Sequence, residues 1–216
     1  MLQALNPYVR RIPIWLVYVV GAIPATFLAF GIYAAFTGAA HNLGADPLAT
    51  LEHQTGIWSL RFLIAALCVT PILRIFRLSL VKYRRALGLL GFYYAMFHLG
   101  IWVWLDHWFD WQALLAEIIK RPYITIGMLA FTILLPLAVT SNDYSIRRIR
   151  AEVWRRIRWW AYPATAFGAI HFLLVVKEWP PEPIIYCGIV AVLLVWRMIR
   201  AYRMRPKNRP VARPAE

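Results

Sequence analysis

The stretch LGLLGFYYAMFHLGIWVWLD, residues 87–106, decides the fold. It is long enough to cross the hydrocarbon core of a bilayer, which takes about 20 predominantly apolar residues in a helix. Apart from two tyrosines, its ionisable side chains are His98 in the interior and Asp106 at the end, and the basic pair Arg84 and Arg85 precedes it. We therefore predict a transmembrane helix with one histidine inside it.

The rest of the chain shows the same apolar pattern. The protein has 216 residues, of which 61% are hydrophobic and 16% are charged, and its mean hydropathy is +0.56. Besides 87–106, the predicted spans are 12–35, 56–76, 123–141, 159–176 and 184–202. The first span is of full length, which predicts a retained helix rather than a cleaved signal peptide. We expect an all-α membrane protein with six transmembrane helices over residues 1–203 and a basic, disordered tail at 204–216.

Positive charge is divided very unequally between the two predicted sides of the membrane. The net charge is +14. With six spans, the Lys and Arg residues that do not fall on the side of the termini are Arg61, Lys120, Arg121 and Lys177. Because cations accumulate on cytoplasmic segments, this distribution predicts that both termini are cytoplasmic. Topology and attraction to anionic lipid explain the basic charge, so we do not expect nucleic acid as a partner.

Two histidines lie inside predicted spans, where ionisable residues are costly and often mark functional sites. His98 is 12 residues after Ala86, and His171 is 12 residues after Trp159. The third and fifth spans run in the same direction, so both imidazoles lie about 18 Å from the inner end at 1.5 Å per residue. Two imidazoles at one depth predict a b haem with His98 and His171 as its axial iron ligands. Such a haem leaves no iron position for a substrate, which suits electron transfer.

Small residues near the two histidines are candidates to make room for the haem ring. They are Gly91, Ala95, Ala164 and Gly168. Such residues are also common wherever membrane helices pack closely, so they do not by themselves indicate a cofactor.

Other interpretations of the polar residues remain open. Each histidine could instead bond to a neighbouring helix or line a proton path, in which case the chain would be a transporter or a channel. Arg61 lies inside the second predicted span, where a cation needs an anion; a haem propionate would serve, and snorkelling to the outer headgroups is the alternative. His41, His53 and His107 are predicted to lie in outer loops or at the interface, where solvated histidines are ordinary.

Several stretches in a fixed order carry a resemblance to a known family. They are LEHQTGIWSLRFL, VTPILR, RRALGLLGFYYAMFHLGIW, KRPYITIG, LAVTSND and HFLLVVK, between about Asn42 and Lys177. This ordered set resembles the MsrQ family, formerly YedZ, the haem-binding membrane subunits of bacterial periplasmic methionine sulfoxide reductase systems. That family lies within the ferric-reductase-like transmembrane group. Its haem histidines correspond here to His98 and His171.

The resemblance implies a non-catalytic electron-transfer subunit in the bacterial inner membrane. It would take electrons from the quinone pool or from a cytosolic flavin reductase. It would pass them to a periplasmic molybdopterin-containing subunit that reduces methionine sulfoxide in oxidised proteins, with which it would form a heterodimer. The family is associated with b haem and with FMN. A self-contained ferric or superoxide-forming reductase would need a cytoplasmic flavin and nicotinamide domain, which we do not expect after the last span.

One position departs from the family pattern. The family usually has a further histidine at the start of the fifth span, in a W-x-x-L-H-R-L context, and WRRIRWW places Arg158 there. An arginine cannot ligate iron, so we do not expect a second haem. His98 and His171 are then the remaining transmembrane histidine pair.

Overall fold

The protein is described by a computed structural model that covers residues 2–176 and 180–203. The helices are α1 (Asn6–Arg11), α2 (Ile14–Phe36), α3 (Pro47–Ile75), α4 (Arg84–Gly100), α5 (Trp111–Lys120), α6 (Pro122–Val139), α7 (Asp143–Arg148), α8 (Ala151–Trp159), α9 (Ala161–Val175) and α10 (Pro181–Arg203). A π-helix at Ile101–Asp106 continues α4. No strand occurs in the described residues, so the predicted all-α architecture is confirmed. The tail predicted at 204–216 lies outside the described residues.

Within residues 2–176 and 180–203, five helices are long and apolar enough to cross a membrane. They are Ile14–Phe36, Pro47–Ile75, Val81–Asp106, Pro122–Val139 and Pro181–Arg203. The stretch predicted as the fifth of six spans forms α9, which has 15 residues. At 1.5 Å per residue α9 is about 22 Å long, which is less than a hydrocarbon core of about 30 Å. The six-span topology with cytoplasmic termini therefore stays a prediction.

The second predicted span begins earlier than its apolar residues indicate. Pro47 occupies the first turn of α3, where its missing N–H has no bond to lose. The Asp46 carboxylate caps the helix by accepting a hydrogen bond from the Ala49 N–H at 3.0 Å. These two signals extend α3 into a polar segment predicted as a loop. His53 was predicted to lie in that loop or at the interface, but it is helical, and its ring centroid is 5.7 Å from that of Phe172 on α9.

α3 runs antiparallel to both α4 and α9. The neighbours that show this are Glu52–His98 and Ser59–Gly91 between α3 and α4, and His53–Phe172 and Leu60–Gly168 between α3 and α9. In both sets the residue number rises along α3 while it falls along the partner helix. α4 and α9 therefore run in the same direction, as predicted for the two helices that carry His98 and His171.

A proline in the middle of α2 opens that helix to a tyrosine from α4. Pro24 has no N–H and disturbs the hydrogen-bond ladder around it. The Tyr94 hydroxyl donates to the Gly21 carbonyl at 2.8 Å and accepts from the Ala25 N–H at 3.0 Å. It thereby bridges two backbone groups that would bond directly in a regular helix. Tyr94 is 2% exposed and lies one turn before His98, so it fixes α2 to a histidine-bearing helix.

A second proline is compensated by an arginine. Pro71 lies inside α3, and its missing N–H leaves the Leu67 carbonyl without its helical partner. Arg197 of α10 donates to that carbonyl at 2.8 Å and to the Tyr162 hydroxyl of α9 at 2.6 Å. One side chain therefore joins α3, α9 and α10 at one end of the bundle.

Candidate functional site

His98 and His171 lie next to each other within the bundle. Their ring centroids are 6.1 Å apart, and their planes make an angle of 73°. Two imidazoles on opposite sides of one metal have centroids about 6.2 Å apart, for a metal–nitrogen bond of about 2.0 Å and a nitrogen about 1.1 Å from its ring centre. The separation of this pair therefore fits a single metal ion between the rings.

Each of the two histidines bonds to the backbone of a neighbouring helix through one ring nitrogen. Nδ1 of His98 is 2.9 Å from the Glu52 carbonyl oxygen of α3, and Nδ1 of His171 is 2.7 Å from the Tyr123 carbonyl oxygen of α6. A carbonyl oxygen only accepts, so Nδ1 carries the proton in both rings. In the neutral ring Nε2 then has a free lone pair, which is the tautomer that metal-bound histidines adopt when a carbonyl orients them. Among the described residues, no group bonds to Nε2 of either ring.

A glycine lies against each of these rings. A Cβ atom built on Gly56 would be 3.3 Å from Nδ1 of His98, and one built on Gly127 would be 2.8 Å from Nδ1 of His171. Each glycine is four residues after the residue whose carbonyl binds the same ring. Each imidazole therefore lies over one turn of the neighbouring helix. We call Glu52 with Gly56 the α3 seat, and Tyr123 with Gly127 the α6 seat.

The small residues singled out from the sequence have other neighbours. A Cβ on Gly91 would be 2.8 Å from the Leu63 side chain, and one on Gly168 would be 4.0 Å from Leu60. Gly91 therefore packs α4 closely against α3, whereas Gly168 has open space up to that distance. The glycines that do contact the histidines, Gly56 and Gly127, were missed because they lie on other helices. The available signal was their place in LEHQTGIWSLRFL and KRPYITIG, two of the stretches that carry the family resemblance.

Arg61 contacts α10 and a tryptophan of its own helix. Its Nε donates to the Tyr186 hydroxyl at 2.6 Å, and its guanidinium is 3.6 Å from the Glu182 carboxylate. The guanidinium also lies 4.8 Å from the centre of the Trp58 ring. The predicted contact with a haem propionate therefore stays a prediction.

Arg158 caps the C-terminal end of α6. Its guanidinium donates to the Leu137 carbonyl at 2.9 Å, the Ser141 hydroxyl at 2.7 Å and the Thr140 hydroxyl at 2.7 Å. It also lies 4.9 Å from the centre of the Trp154 ring. Burial lowers the pKa of Arg158, and two nearby arginines lower it further. At this position the chain has a helix-capping cation.

The remaining histidines do not join the pair. His107 bonds through Nδ1 to the Trp102 carbonyl at 3.0 Å, and its Nε2 is 3.5 Å from Glu117. His41 is exposed. Within the described ranges, no group of three or more His, Cys, Asp or Glu residues is arranged to hold a metal ion. The pair of imidazoles is therefore the site with the clearest capacity for metal chemistry.

Comparisons with known proteins identify the family to which the chain belongs. Residues 55–169 match the family described as "Ferric reductase like transmembrane component". A protein of Brucella anthropi is 47% identical over 201 residues, which cover 93% of this chain and 87% of the relative. A protein of Brucella ovis is 46% identical over 205 residues, which cover 92% of this chain and 90% of the relative. Both relatives are called "Protein-methionine-sulfoxide reductase heme-binding subunit MsrQ".

Proposed function

This chain is a multi-pass membrane protein of the MsrQ family, and we propose that it is the haem-binding membrane subunit of a methionine sulfoxide reductase system. The names of its relatives support the haem and the methionine sulfoxide system. The single observation that carries the proposal is the pair His98 and His171, with centroids 6.1 Å apart and both Nδ1 atoms held by backbone carbonyls.

His98 and His171 are the proposed axial ligands of one b haem. When bound there, a b haem supplies one-electron exchange between ferric and ferrous iron. With His98 and His171 both bound to its iron, a b haem would have no position left for a substrate, so the subunit would transfer electrons without catalysing a reaction itself. The hydrogen bonds from Nδ1 to carbonyl oxygens orient the rings and make Nε2 a stronger ligand.

Arg61 is the proposed partner of a haem propionate. It lies five residues after Gly56 on α3, which is about 7.5 Å along the helix axis. Its distance to Glu182 is 3.6 Å, which is longer than a charge-assisted hydrogen bond of about 2.7–2.9 Å. The guanidinium therefore retains the capacity to bind a second carboxylate.

We propose six crossings with both termini in the cytoplasm, and α9 as the fifth. His171 bonds to Tyr123 near the start of α6, while Arg158, just before α9, caps the end of α6. The segment 158–171 therefore runs antiparallel along nearly the whole of α6. Because α6 is itself long and apolar enough to span a membrane, a segment that runs along nearly the whole of α6 would cross the same hydrocarbon core.

One haem per chain is the proposed content. The family histidine that could support another ligand pair is replaced by Arg158, and the guanidinium of Arg158 is used by three hydrogen bonds at the end of α6. Moving it away would leave a half-buried cation and several helix-end acceptors without partners. Arg158 therefore has a structural role at this position.

The proposed electron path runs through the inner membrane. The donor is the quinone pool or a cytosolic flavin reductase, and the acceptor is a periplasmic molybdopterin-containing methionine sulfoxide reductase subunit that repairs oxidised periplasmic proteins. The relatives' name supports the methionine sulfoxide reductase partner, and the family resemblance supports the donors. The resemblance also implies FMN, to which we assign no residue.

The experiment is the dithionite-reduced minus oxidised absorption spectrum of detergent-purified protein, with haem quantified per chain. We expect a low-spin b-type alpha band at about one haem per chain. His98→Ala and His171→Ala should each lose that band, while His41→Ala, in an exposed loop, should retain it. Unchanged haem in both ligand variants would reject the ligand assignment. A folded wild-type protein without haem would reject the proposed function, and solute flux in liposomes would then test a transporter or channel.

A further inference from the structure

We infer that Gly56 and Gly127 are positioning residues that hold the rings of His98 and His171 at a large angle to each other. The inference rests on the proposed ligation of haem by these histidines. It adds that the angle of 73° between the rings is a property built into α3 and α6, the helices that carry no ligand.

The two seats restrict the rotation of the imidazole rings. The torsion that turns a histidine ring about its Cβ–Cγ bond has broad, poorly separated minima. A bond from Nε2 to a metal constrains the position of that nitrogen but leaves the ring free to turn about the bond. Two further contacts are needed to fix the plane, and each seat supplies two: a carbonyl oxygen that accepts from Nδ1 and a glycine under the ring.

The α6 seat holds its ring most tightly. A Cβ on Gly127 would lie 2.8 Å from Nδ1, 2.9 Å from Cε1 and 3.2 Å from Cγ of His171. Ordinary contact of a Cβ begins at 3.4 Å, so an alanine would displace the ring by about 0.6 Å or rotate it. Such a shift would break or bend the hydrogen bond from Nδ1 to Tyr123, which is 2.7 Å long.

The α3 seat has the same construction with a looser fit. A Cβ on Gly56 would lie 3.3 Å from Nδ1 and 3.4 Å from Cε1 of His98. An alanine there needs an adjustment of about a tenth of an ångström, which packed side chains accommodate more readily. The structure therefore ranks the effects: Gly127→Ala should disturb its ring more than Gly56→Ala.

The angle between the rings has a spectroscopic signature in the ferric haem. Each imidazole donates π-electron density perpendicular to its own plane. Two rings near a right angle therefore act on different iron d orbitals, and these stay close in energy. The electron paramagnetic resonance (EPR) spectrum of the low-spin ferric state is then highly anisotropic, with a large maximum g value. Rotation of the rings towards parallel splits the orbitals and lowers that g value.

The test compares three glycine variants by haem content, helical circular dichroism and EPR. Gly127→Ala and Gly56→Ala alter the two seats. Gly88→Ala is the matched control, because Gly88 lies on the same helix as His98 but ten residues before it, and its Cβ would meet nothing within 4 Å. We expect a large maximum g value in the wild type, a clear shift of that value in Gly127→Ala, a smaller shift in Gly56→Ala and none in Gly88→Ala. Loss of haem from a Gly127→Ala protein with wild-type helicity would also support the inference, provided Gly88→Ala keeps its haem.

Two results would overturn the inference. One is a full complement of haem with unchanged g values in both seat variants. The other is a change of the g value in Gly88→Ala as large as that in Gly127→Ala, since the effect would then be general to glycine replacement in these helices. If Gly127→Ala does not fold, unchanged g values in the milder Gly56→Ala variant overturn the inference by themselves. A folded wild type without haem overturns the proposed function, and the inference with it.

Discussion

Arg158→Ala should destabilise the bundle by disconnecting α8 from the end of α6. The guanidinium donates to the backbone carbonyl of Leu137 and to the hydroxyls of Thr140 and Ser141. It also lies over the Trp154 ring. Alanine removes all of these contacts together with the positive charge at the C-terminal end of a helix, where a cation is favourable.

The magnitude follows from what the acceptors retain after the substitution. A hydrogen bond from a charged donor contributes about 1.5–3 kcal/mol to stability. The sum over three such bonds is an upper limit on the loss of stability, and we expect a smaller loss. The hydroxyls of Thr140 and Ser141 also donate to α6 carbonyls, at 2.6 Å and 2.7 Å. They therefore remain partly satisfied, and water can reach a half-buried site. We expect the free energy of unfolding to fall by about 2–4 kcal/mol.

The assay is thermal unfolding of the detergent-purified protein, followed by helical circular dichroism. For a chain of this size about 1 kcal/mol corresponds to about 2–4 °C, so the melting temperature should fall by roughly 4–16 °C. The matched control is Arg156→Ala, which removes the same charge from the same helix. The Arg156 side chain is 78% exposed and pairs with Glu152, an interaction worth about 0.3–0.5 kcal/mol.

Equal decreases of the melting temperature in Arg158→Ala and Arg156→Ala would refute the capping role of Arg158. Haem content gives an independent check, because Arg158 touches neither seat. Below its melting temperature, the Arg158→Ala protein should hold as much haem per chain as the wild type. A loss of haem from a folded variant would mean that Arg158 acts on the histidine pair.

Three further predictions concern contacts between helices. Tyr94→Phe should lower the free energy of unfolding by about 1–3 kcal/mol, because the buried Gly21 carbonyl and the part-buried Ala25 N–H of α2 lose their partner; an unchanged melting temperature would show that those groups bond directly. Arg197→Lys keeps the charge but removes the planar guanidinium, which donates to the Leu67 carbonyl and the Tyr162 hydroxyl at the same time. The melting temperature should fall by several degrees, and full wild-type stability would exclude a role of Arg197 in joining the three helices. The hydrogen bond from Arg85 lowers the pKa of Asp143, so this contact stabilises the protein above the ordinary carboxyl pKa of about 3.9 and is lost as the pH falls through the lowered value. The melting temperatures of wild type and Asp143→Asn should therefore converge at low pH and at high salt, and a gap independent of pH would exclude the charge pair.

Part of the candidate site could be predicted from residue counting. His98 and His171 are each 12 residues from the inner end of a predicted span, and a helix converts that count into depth because its rise per residue is constant. Their pairing follows from equal depth and equal direction. Arg61 shows the limit of this reasoning. Its depth indicated a need for an anion, but its orientation towards Glu182 and Tyr186 depends on where α10 packs.

The sequence by itself determined the all-α membrane architecture, because each long apolar run must satisfy its backbone hydrogen bonds within one helix in a bilayer. The apolar pattern alone did not determine where α3 begins, since two local signals outside the apolar run, a proline and a capping aspartate, extend that helix. Only the tertiary structure decided that Gly56 and Gly127 support the two rings. A glycine has no side chain to mark its function, and its role depends on which helix packs against it. The angle of 73° between His98 and His171 is likewise set by four helices together, and no local pattern in the sequence encodes it.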